Sequence, residues 1–446
     1  MKVLKSGTRE FSEGIEQLLS RRHQLMDALS STADDLILRY RKRGEELLYE
    51  NAREMDGVHL SENQLWVDPS FIKSSYKKLS PEVREALEAT KERVLRFQEE
   101  LKLSSFQREE ESGVLIGTEI RPLDRVGIYV PGGRANYFMS LMFCAAPARI
   151  AGVGEIIVAT PPKKNLEEPF VDPAILYTAK LFDISKILVS GGPAALAALA
   201  FGTKKSLPVE RLFGSGGKLS AVAKQRLSGY IGIGGFAGPS ETAYICDQTS
   251  SVSILASDIL ARADSDLNAE IFVFHTKENF MEALLEGLAE GIRAIRDQRS
   301  RSGIEACLEK NTRFFIVKNI DESFAICNRI APGTLCLSLK DASDYVDKVK
   351  ACGSLLLGEY TPSFEADLTG VPSGLVPSMG SAAFTVSLSP AYFVRRFGIT
   401  EISRQALERY SESSIALAKE VGYTTHEYSY RKRLEAGDTS HGQKKT

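Results

Sequence analysis

The strongest constraint on the fold is an alternation of short apolar runs with helix-like segments that starts at Val126. RVGIYVPGG, EIIVAT, KILVSGG and RLFGSGG are apolar runs that end at or near glycine or proline, and DPAILYTAKLFDI and AALAALAFGT lie between them. Strands that are apolar throughout and alternate with helices are typical of a parallel sheet with helices on its faces. The sequence therefore predicts an α/β unit in this region.

A second alternation begins near Ala243 and predicts another α/β unit, so that one unit is inserted near the other. Its strand-like runs are TAYICD, AEIFVFHT, RFFIVKN and SLLLGEY, and a charged helix is predicted at ENFMEALLEGLAEGIRAIRDQRS. The first ~125 residues have mainly helical spacing, including a helix that Ser80 caps and Pro81 starts. The last ~55 residues are also predicted to be helical and to end in a polar tail.

Composition excludes several classes of protein. The formal net charge of -2 provides no basic field for nucleic acid. No run of about 18 apolar residues predicts a membrane span, and the N-terminus lacks the apolar stretch of a signal peptide. The six cysteines form no CxxC pair, so we expect reduced, buried thiols in a cytoplasmic protein.

Glycine-rich turns at the ends of predicted strands are the main candidates for ligand binding: Pro131-Gly132-Gly133, Gly191-Gly192, Gly214-Ser215-Gly216-Gly217 and Gly234-Gly235. Such turns let a phosphate-bearing ligand approach the backbone and the start of the next helix. None matches GxGxxG with an acidic residue ~20 positions later, so a nucleotide site and turns that merely need positive φ both stay open. HExxH, CxxC and GxSxG motifs are absent, so the motifs nominate neither a metal site nor a nucleophile.

Ordered segments over nearly the whole chain resemble the histidinol dehydrogenase family. They include RVGIYVPGGRANYFMSLMFCAAPARIAGVGEIIVATPP, VSGGPAALAALAFGT, FGSGGKLSAVAKQRLS, GFAGPSETAYICD, ACGSLLLGEYTPSFEADLTG and GYTTHEYSYRKRLE. The resemblance implies two incomplete Rossmann-like domains with small helical N- and C-terminal parts, assembled as an intertwined homodimer. It also implies a four-electron oxidation of L-histidinol to L-histidine with two NAD and one zinc.

This fold implies four segments in the chain. An N-terminal helical arm covers residues 1–29. The first Rossmann-like domain combines residues 30–125 and 237–386, and the second, inserted one covers residues 126–236. A C-terminal helical domain and tail cover residues 387–446.

The family's cofactor and substrate positions are partly kept. Its NAD-site tyrosine matches Tyr129, whereas its NAD-site glutamine and asparagine fall at Ala194 and Gly217. The substrate-site serine matches Ser240 within an intact AGPSE block. A substrate-binding glutamate falls at Val421, beside Glu420.

The family's zinc and acid–base positions are mostly lost. Its zinc-binding Gln-x-x-His pair falls at Arg262 and Ser265, while Asp367 and His426 match the other two ligands. Its acid–base Glu-His pair falls at Gly333 and Thr334. Two ligands do not complete a zinc site, and a charged arginine repels a divalent cation, so zinc is not expected. We predict instead that Arg262 takes the vacated position and pairs with Asp367, directly or through an anionic ligand.

Three functions stay open. One is a metal-free NAD(P)-linked alcohol or aldehyde oxidoreductase on another substrate, in which Arg134 and Arg262 hold an acidic group. Another is a non-catalytic relative that binds a small molecule or a partner. The third is a genuine L-histidinol dehydrogenase with an atypical site.

Overall fold

The structure is a computed structural model that describes residues 1–133, 135–235, 238–369 and 375–436. These residues form two units. The larger combines Met1–Lys102 with Leu123–Phe393, and the smaller combines Leu103–Pro122 with the described residues from Val394 onward. Arg134 lies outside the described residues. No helix of the described ranges is long and apolar enough to cross a membrane.

The strands are β1 (Lys2–Lys5), β2 (Phe106–Glu111), β3 (Val114–Pro122), β4 (Arg125–Tyr129), β5 (Glu155–Thr160), β6 (Lys186–Val189), β7 (Arg211–Phe213), β8 (Gly232–Ile233), β9 (Glu241–Cys246), β10 (Glu270–His275), β11 (Thr312–Ile316), β12 (Thr334–Ser338), β13 (Ser354–Leu357) and β14 (Val394–Ile402). The α-helices are α1 (Arg9–Arg43), α2 (Glu46–Glu54), α3 (Pro69–Ser74), α4 (Pro81–Glu100), α5 (Phe138–Ala151), α6 (Pro173–Leu181), α7 (Gly192–Phe201), α8 (Lys218–Leu227), α9 (Val252–Ser265), α10 (Glu278–Ala294), α11 (Gln298–Asn311), α12 (Ile320–Ile330), α13 (Glu365–Thr369), α14 (Arg404–Val421) and α15 (His426–Glu435).

The first predicted α/β alternation forms a five-stranded parallel sheet in the order β6-β5-β4-β7-β8. The chain winds outward from β4 through β5 to β6 and then returns to the other side of β4 with β7. The strand order therefore reverses between β4 and β7. In open α/β sheets, the carboxyl ends of strands at such a point border the ligand crevice.

The second alternation forms a six-stranded parallel sheet in the order β1-β11-β10-β9-β12-β13. Its central strands β9 and β10 are buried on both faces, as their continuous apolar sequences predicted. Phe272 and Phe274 contribute to one core cluster, and Ile271 and Val273 contribute to the other. The α/β fold class is thus confirmed.

The terminal regions differ in part from the sequence prediction. Helix α4 begins as expected, since the Ser80 side chain accepts a hydrogen bond from the Val83 amide and Pro81 is the first helical residue. However, the first ~125 residues also contain β1, β2 and β3. In β1, Leu4 is buried and packs on α1, where Gly14 leaves room for it.

The smaller unit contains a three-stranded antiparallel sheet in the order β14-β3-β2, together with α14 and α15. The prediction of an all-helical C-terminal region was therefore wrong for β14. All six residues of β2 are exposed, so this edge strand lacks the apolar alternation by which strands are recognised.

The boundaries of the four segments stay predictions. Helix α1 is continuous from Arg9 to Arg43, and thus runs through the predicted end of the N-terminal arm at residue 29. The Thr8 side chain caps the helix by accepting a hydrogen bond from the Phe11 amide. Three basic residues in the last turn stabilise the helix, because their positive charges lie at the negative end of the helix dipole.

Candidate functional site

The carboxyl ends of β4 and β7 are joined by close backbone packing. Tyr129 ends β4, is buried, and accepts a hydrogen bond of 2.9 Å from the Gly192 amide through its hydroxyl. Gly214 follows β7 with a φ of +103°, and a Cβ there would lie 2.0 Å from the Tyr129 carbonyl oxygen. Only glycine fits this position. The turns after β4, β6 and β7 therefore meet at one edge of the sheet.

Two predicted cofactor residues differ in their access to this edge. Gly217 is the N-cap of α8, is exposed, and would have nothing within 4 Å of an added Cβ. Ala194 is fully buried within α7. Burial raises the pKa of Tyr129 above its ordinary value. The cofactor role of all three residues stays a prediction.

A buried lysine lies beneath the turn that follows β7. Lys224 is 1% exposed, and its Nζ donates a hydrogen bond to the Gly214 carbonyl oxygen. Burial lowers the pKa of Lys224 to about 8, an effect that the nearby Cys144 thiol opposes. Sequence alone does not predict this burial, because a lysine within a helix normally faces solvent.

A polar cavity of about 500 Å³ opens beside the same edge. Its lining includes Gly132 and Asn136 after β4, Pro161 and Lys163 after β5, and Asp56. Burial raises the pKa of Asp56 to about 6. A cavity with both lysine and carboxylate groups at the strand ends has the polar groups that fix a small ligand.

Arg262 and Asp367 form an ion pair at the amino end of β9, which confirms the predicted pairing. Arg262 Nη1 donates to Asp367 Oδ2, and Nε donates to Thr242 Oγ1 at 2.9 Å. The Arg262 side chain is 4% exposed, whereas that of Asp367 is 42% exposed. Burial lowers the pKa of the Arg262 guanidinium, but Asp367, Tyr244 and Cys336 together outweigh burial, so that the pKa is raised.

The side chains around Arg262 do not fit a zinc ion. The permanent charge of Arg262 already pairs with one matched ligand position, Asp367, and Ser265 donates to the Arg262 carbonyl oxygen at 2.9 Å. His426 lies in the smaller unit, exposed and stacked on Tyr423 at 4.3 Å between ring centroids. In the part of the chain that the structure describes, no group of three or more His, Cys, Asp and Glu residues is arranged to hold a metal ion.

The predicted acid–base positions are packed by backbone. A Cβ at Gly333 would lie 3.0 Å from the Pro377 carbonyl oxygen and 3.2 Å from Val376 Cγ2. Thr334 begins β12 and is 4% exposed. Neither residue provides a titratable group, so this position does not supply a proton acceptor.

Ser240 is held by Asp266 beside the loop after β4. Its amide and its Oγ donate to Asp266 Oδ2 at 3.0 and 3.1 Å. Burial raises the pKa of Tyr137, and the charge of Asp266 raises it further. Tyr137 lies in the loop between β4 and α5.

A second ionic cluster lies on the other face of β9, and no sequence motif predicts it. Arg21 of α1 donates to Glu241 Oε1 through Nε at 2.8 Å and through Nη2, and its Nε lies 2.9 Å from Glu270 Oε2. Successive residues of a strand point to opposite faces, which separates Glu241 from Thr242 and Arg262. Burial and the Glu241 charge raise the pKa of Glu270 to about 7. We call these three residues the Arg21 cluster.

Comparison with known proteins finds relatives over nearly the whole chain. The family model described as Histidinol dehydrogenase matches residues 19–434. Histidinol dehydrogenase 1 of Nostoc sp. is 31% identical over 435 residues, which are 98% of this chain and 99% of that protein. Histidinol dehydrogenase of Oceanobacillus iheyensis is 33% identical over 393 residues, 88% of this chain and 90% of that protein.

The fold has a close match among solved structures. The crystal structure of histidinol dehydrogenase from Elizabethkingia anophelis aligns with a TM-score of 0.84 and 24% identity, covering 97% of this chain and 98% of that one. The match includes the α/β sheets and the helical terminal regions that position the residues described above. With the family model and the two relatives, it leads to one conclusion: the chain belongs to the histidinol dehydrogenase family.

Proposed function

We propose that this chain is a metal-independent, NAD(P)-linked alcohol or aldehyde oxidoreductase that acts on a substrate other than L-histidinol. The observation that carries the proposal is the buried Arg262 guanidinium, which pairs with Asp367 where the family binds zinc. The guanidinium supplies positive charge there, as a metal ion would, but it has no open coordination position for a substrate or a water molecule. The carboxyl ends of β4 and β7 in the five-stranded sheet, which we call the dinucleotide edge, keep one of the family's three NAD-site residues, Tyr129.

The dinucleotide edge fits a pyrophosphate. Gly214 permits the close turn after β7, Gly217 leaves the first amides of α8 open, and the buried Lys224 adds positive charge behind the turn. Amides at a helix N-terminus bind phosphates through both hydrogen bonds and the helix dipole. NAD or NADP would supply the hydride acceptor there.

A non-catalytic, ligand-binding role is the second candidate. It is favoured by the packing of Val376 and Pro377 against Gly333, which leaves the family's acid–base position without a proton acceptor. Both candidates bind a dinucleotide at the dinucleotide edge, but only the oxidoreductase converts a substrate. A binding measurement therefore precedes an activity assay.

The first experiment is a thermal-shift screen with NAD, NADP, L-histidinol and zinc. A ligand that binds the native state at about 100 times its Kd adds about 2.7 kcal/mol to the free energy of unfolding. We expect NAD or NADP to raise the melting temperature and zinc and L-histidinol to leave it unchanged. A rise with zinc and L-histidinol identifies a genuine L-histidinol dehydrogenase, and silence with both dinucleotides overturns the proposal.

Gly217 offers a matched pair of variants for this screen. A side chain at Gly217 meets no atom within 4 Å, so Gly217→Asp and Gly217→Asn should both fold. Both residues are good N-caps, but aspartate places a negative charge where the phosphates would bind. We expect Gly217→Asp to lose the dinucleotide shift and Gly217→Asn to keep it. Equal shifts in the two variants would contradict binding at α8.

A further inference from the structure

We propose that Asp56 binds the adenosine ribose of the dinucleotide and makes the site selective for NAD over NADP. The inference rests on the proposed function, which leaves open which of the two cofactors is bound. In a glycine-rich dinucleotide site, an acidic residue near the end of the second strand accepts hydrogen bonds from the ribose hydroxyls. In this chain the segment PPKK, residues 161–164, follows β5 and contains no acid. The structure brings Asp56 to this place from a distant part of the chain.

The polar cavity at the carboxyl ends of β4 and β5 is where this ribose would lie. Its volume of about 500 Å³ is within the range of small-molecule sites. Pro161 joins the turns around it, since a Cβ at Gly132 would lie 2.5 Å from Pro161 Cγ, and one at Gly191 would lie 2.7 Å from Pro161 Cβ. β5 and β7 flank β4, so they are about 10 Å apart, a span that an extended dinucleotide bound at the start of α8 bridges.

Asp56 is placed in the cavity wall by the turn that ends α2. The Val58 amide donates to the Ala52 carbonyl oxygen at 2.9 Å, and Gly57 has a φ of +68°, which lets the chain turn between them. Among the described residues, no hydrogen bond or ion pair holds the Asp56 carboxylate, and burial alone raises its pKa to about 6. A half-buried carboxylate without a donor is stabilised by a ligand that supplies hydroxyl groups.

Two other charged groups of the cavity already have partners. Lys163 Nζ donates to Asn136 Oδ1 and lies 3.4 Å from Asp172 Oδ2. Asp172 Oδ1 in turn accepts a hydrogen bond of 2.9 Å from the Ala174 amide at the start of α6. These contacts join the loops after β4 and β5 to α6, so they build the cavity wall and leave neither charge free for a ligand.

The two remaining charged groups favour opposite cofactors. Lys164 would attract the 2′-phosphate of NADP, but it is exposed, so water and salt screen its charge. The half-buried Asp56 is screened less. Its carboxylate can accept hydrogen bonds from both ribose hydroxyls of NAD, whereas the 2′-phosphate removes one of these donors and adds a like charge. Asp56 therefore determines the preference.

Isothermal titration calorimetry with NAD and with NADP measures this preference as a ratio of two Kd values. Titrations at pH 8 keep both the carboxylate and the 2′-phosphate ionised. A hydrogen bond to a charged group changes affinity by about 10- to 100-fold, so we expect NAD to bind about 100-fold more tightly than NADP. Asp56→Asn keeps the shape of the side chain and removes its charge. The ratio should then fall to about tenfold or less.

Glu54→Gln is the matched control, because it removes the same charge from an exposed residue of α2 that does not line the cavity. Its ratio should equal that of the unmodified protein. A thermal melt without ligand checks the fold. Asp56→Asn should melt no lower than the unmodified protein, because burial opposes the charge that the substitution removes. A lower melting temperature with an equal loss of both cofactors would show a structural role and overturn the inference.

The remaining outcomes separate the inference from the proposed function. If neither NAD nor NADP binds to the unmodified protein, the proposed function is wrong and the inference falls with it. If NAD binds and the ratio is the same in Asp56→Asn, dinucleotide binding stands and only the role of Asp56 is wrong. If NADP binds more tightly than NAD, the inference is overturned and the exposed Lys164 is the group that selects the cofactor.

Discussion

The Arg262–Asp367 pair predicts an unusual order of mutational effects, in which removal of the more exposed partner costs more stability. Arg262 is 4% exposed and Asp367 is 42% exposed. Asp367→Ala leaves a buried guanidinium that cannot lose its charge. Arg262→Met leaves a carboxylate that water reaches, and it fills the vacated volume with an unbranched apolar side chain.

The two costs can be estimated separately. A buried charge that loses its partner costs roughly 3–5 kcal/mol, and since Thr242 still accepts one bond from Arg262 we expect about 3 kcal/mol for Asp367→Ala. Arg262→Met loses a half-solvated ion pair of about 1 kcal/mol and the bond to Thr242, so we expect about 1–2 kcal/mol. The double variant Arg262→Met/Asp367→Ala should be about as stable as Arg262→Met alone, because no charge remains buried. The sum of the two single costs then exceeds the cost of the double variant by about 3 kcal/mol, which is the coupling free energy of the pair.

Urea unfolding at pH 7, followed by circular dichroism, measures these differences in the free energy of unfolding. The matched control is the exposed pair of Arg226 and Asp34, which has two hydrogen bonds of 2.7 and 2.8 Å but side chains that are 44% and 47% exposed. Asp34→Ala should cost less than about 1 kcal/mol. The reasoning is refuted if Arg262→Met costs as much as Asp367→Ala, or if Asp367→Ala costs no more than Asp34→Ala.

Two further predictions concern the metal and the assembly. Because Arg262 and Ser265 stand at two of the family's four zinc positions, the purified protein should carry no stoichiometric zinc; metal analysis that finds about one zinc per chain after mild chelation would contradict this. The family resemblance also predicts an obligate homodimer with a large interface, so light scattering at micromolar concentration should give the mass of two chains, and the mass of one chain would be evidence against it.

The central strands were predictable because each has a local signal. EIIVAT and AEIFVFHT are apolar on both faces, and the strands β5 and β10 that they form are buried between helices. The Arg262–Asp367 pair was also predictable, since a carboxylate in a cleft that lacks its metal needs another cation. The strands have a local signal, whereas the pair, 105 residues apart in sequence, follows from the family resemblance that places both residues at zinc positions.

The features that were missed depend on contacts between distant segments. In the Arg21 cluster, Arg21 and Glu241 are 220 residues apart, and neither residue type predicts burial by itself. The edge strand β1 has four residues, of which only Leu4 is buried, so it lacks a clear period. The Arg21 cluster and β1 are both formed by contacts with the six-stranded sheet, and the local sequence does not specify them.

The packing around Gly333 also bears on whether the lost chemistry could evolve back. A Cβ at Gly353 would lie 2.5 Å from the Gly333 carbonyl oxygen and 2.7 Å from Val376 Cβ, so the two glycines and the segment after residue 375 are fitted to one another. A glutamate restored at Gly333 would meet the Pro377 backbone, which does not yield as a flexible side chain does. The substitution would therefore require the Pro377 backbone to shift by a few tenths of an ångström. A titratable side chain at position 333 therefore depends on the backbone of the segment from residue 375 to residue 377 as well as on the residue at position 333 itself.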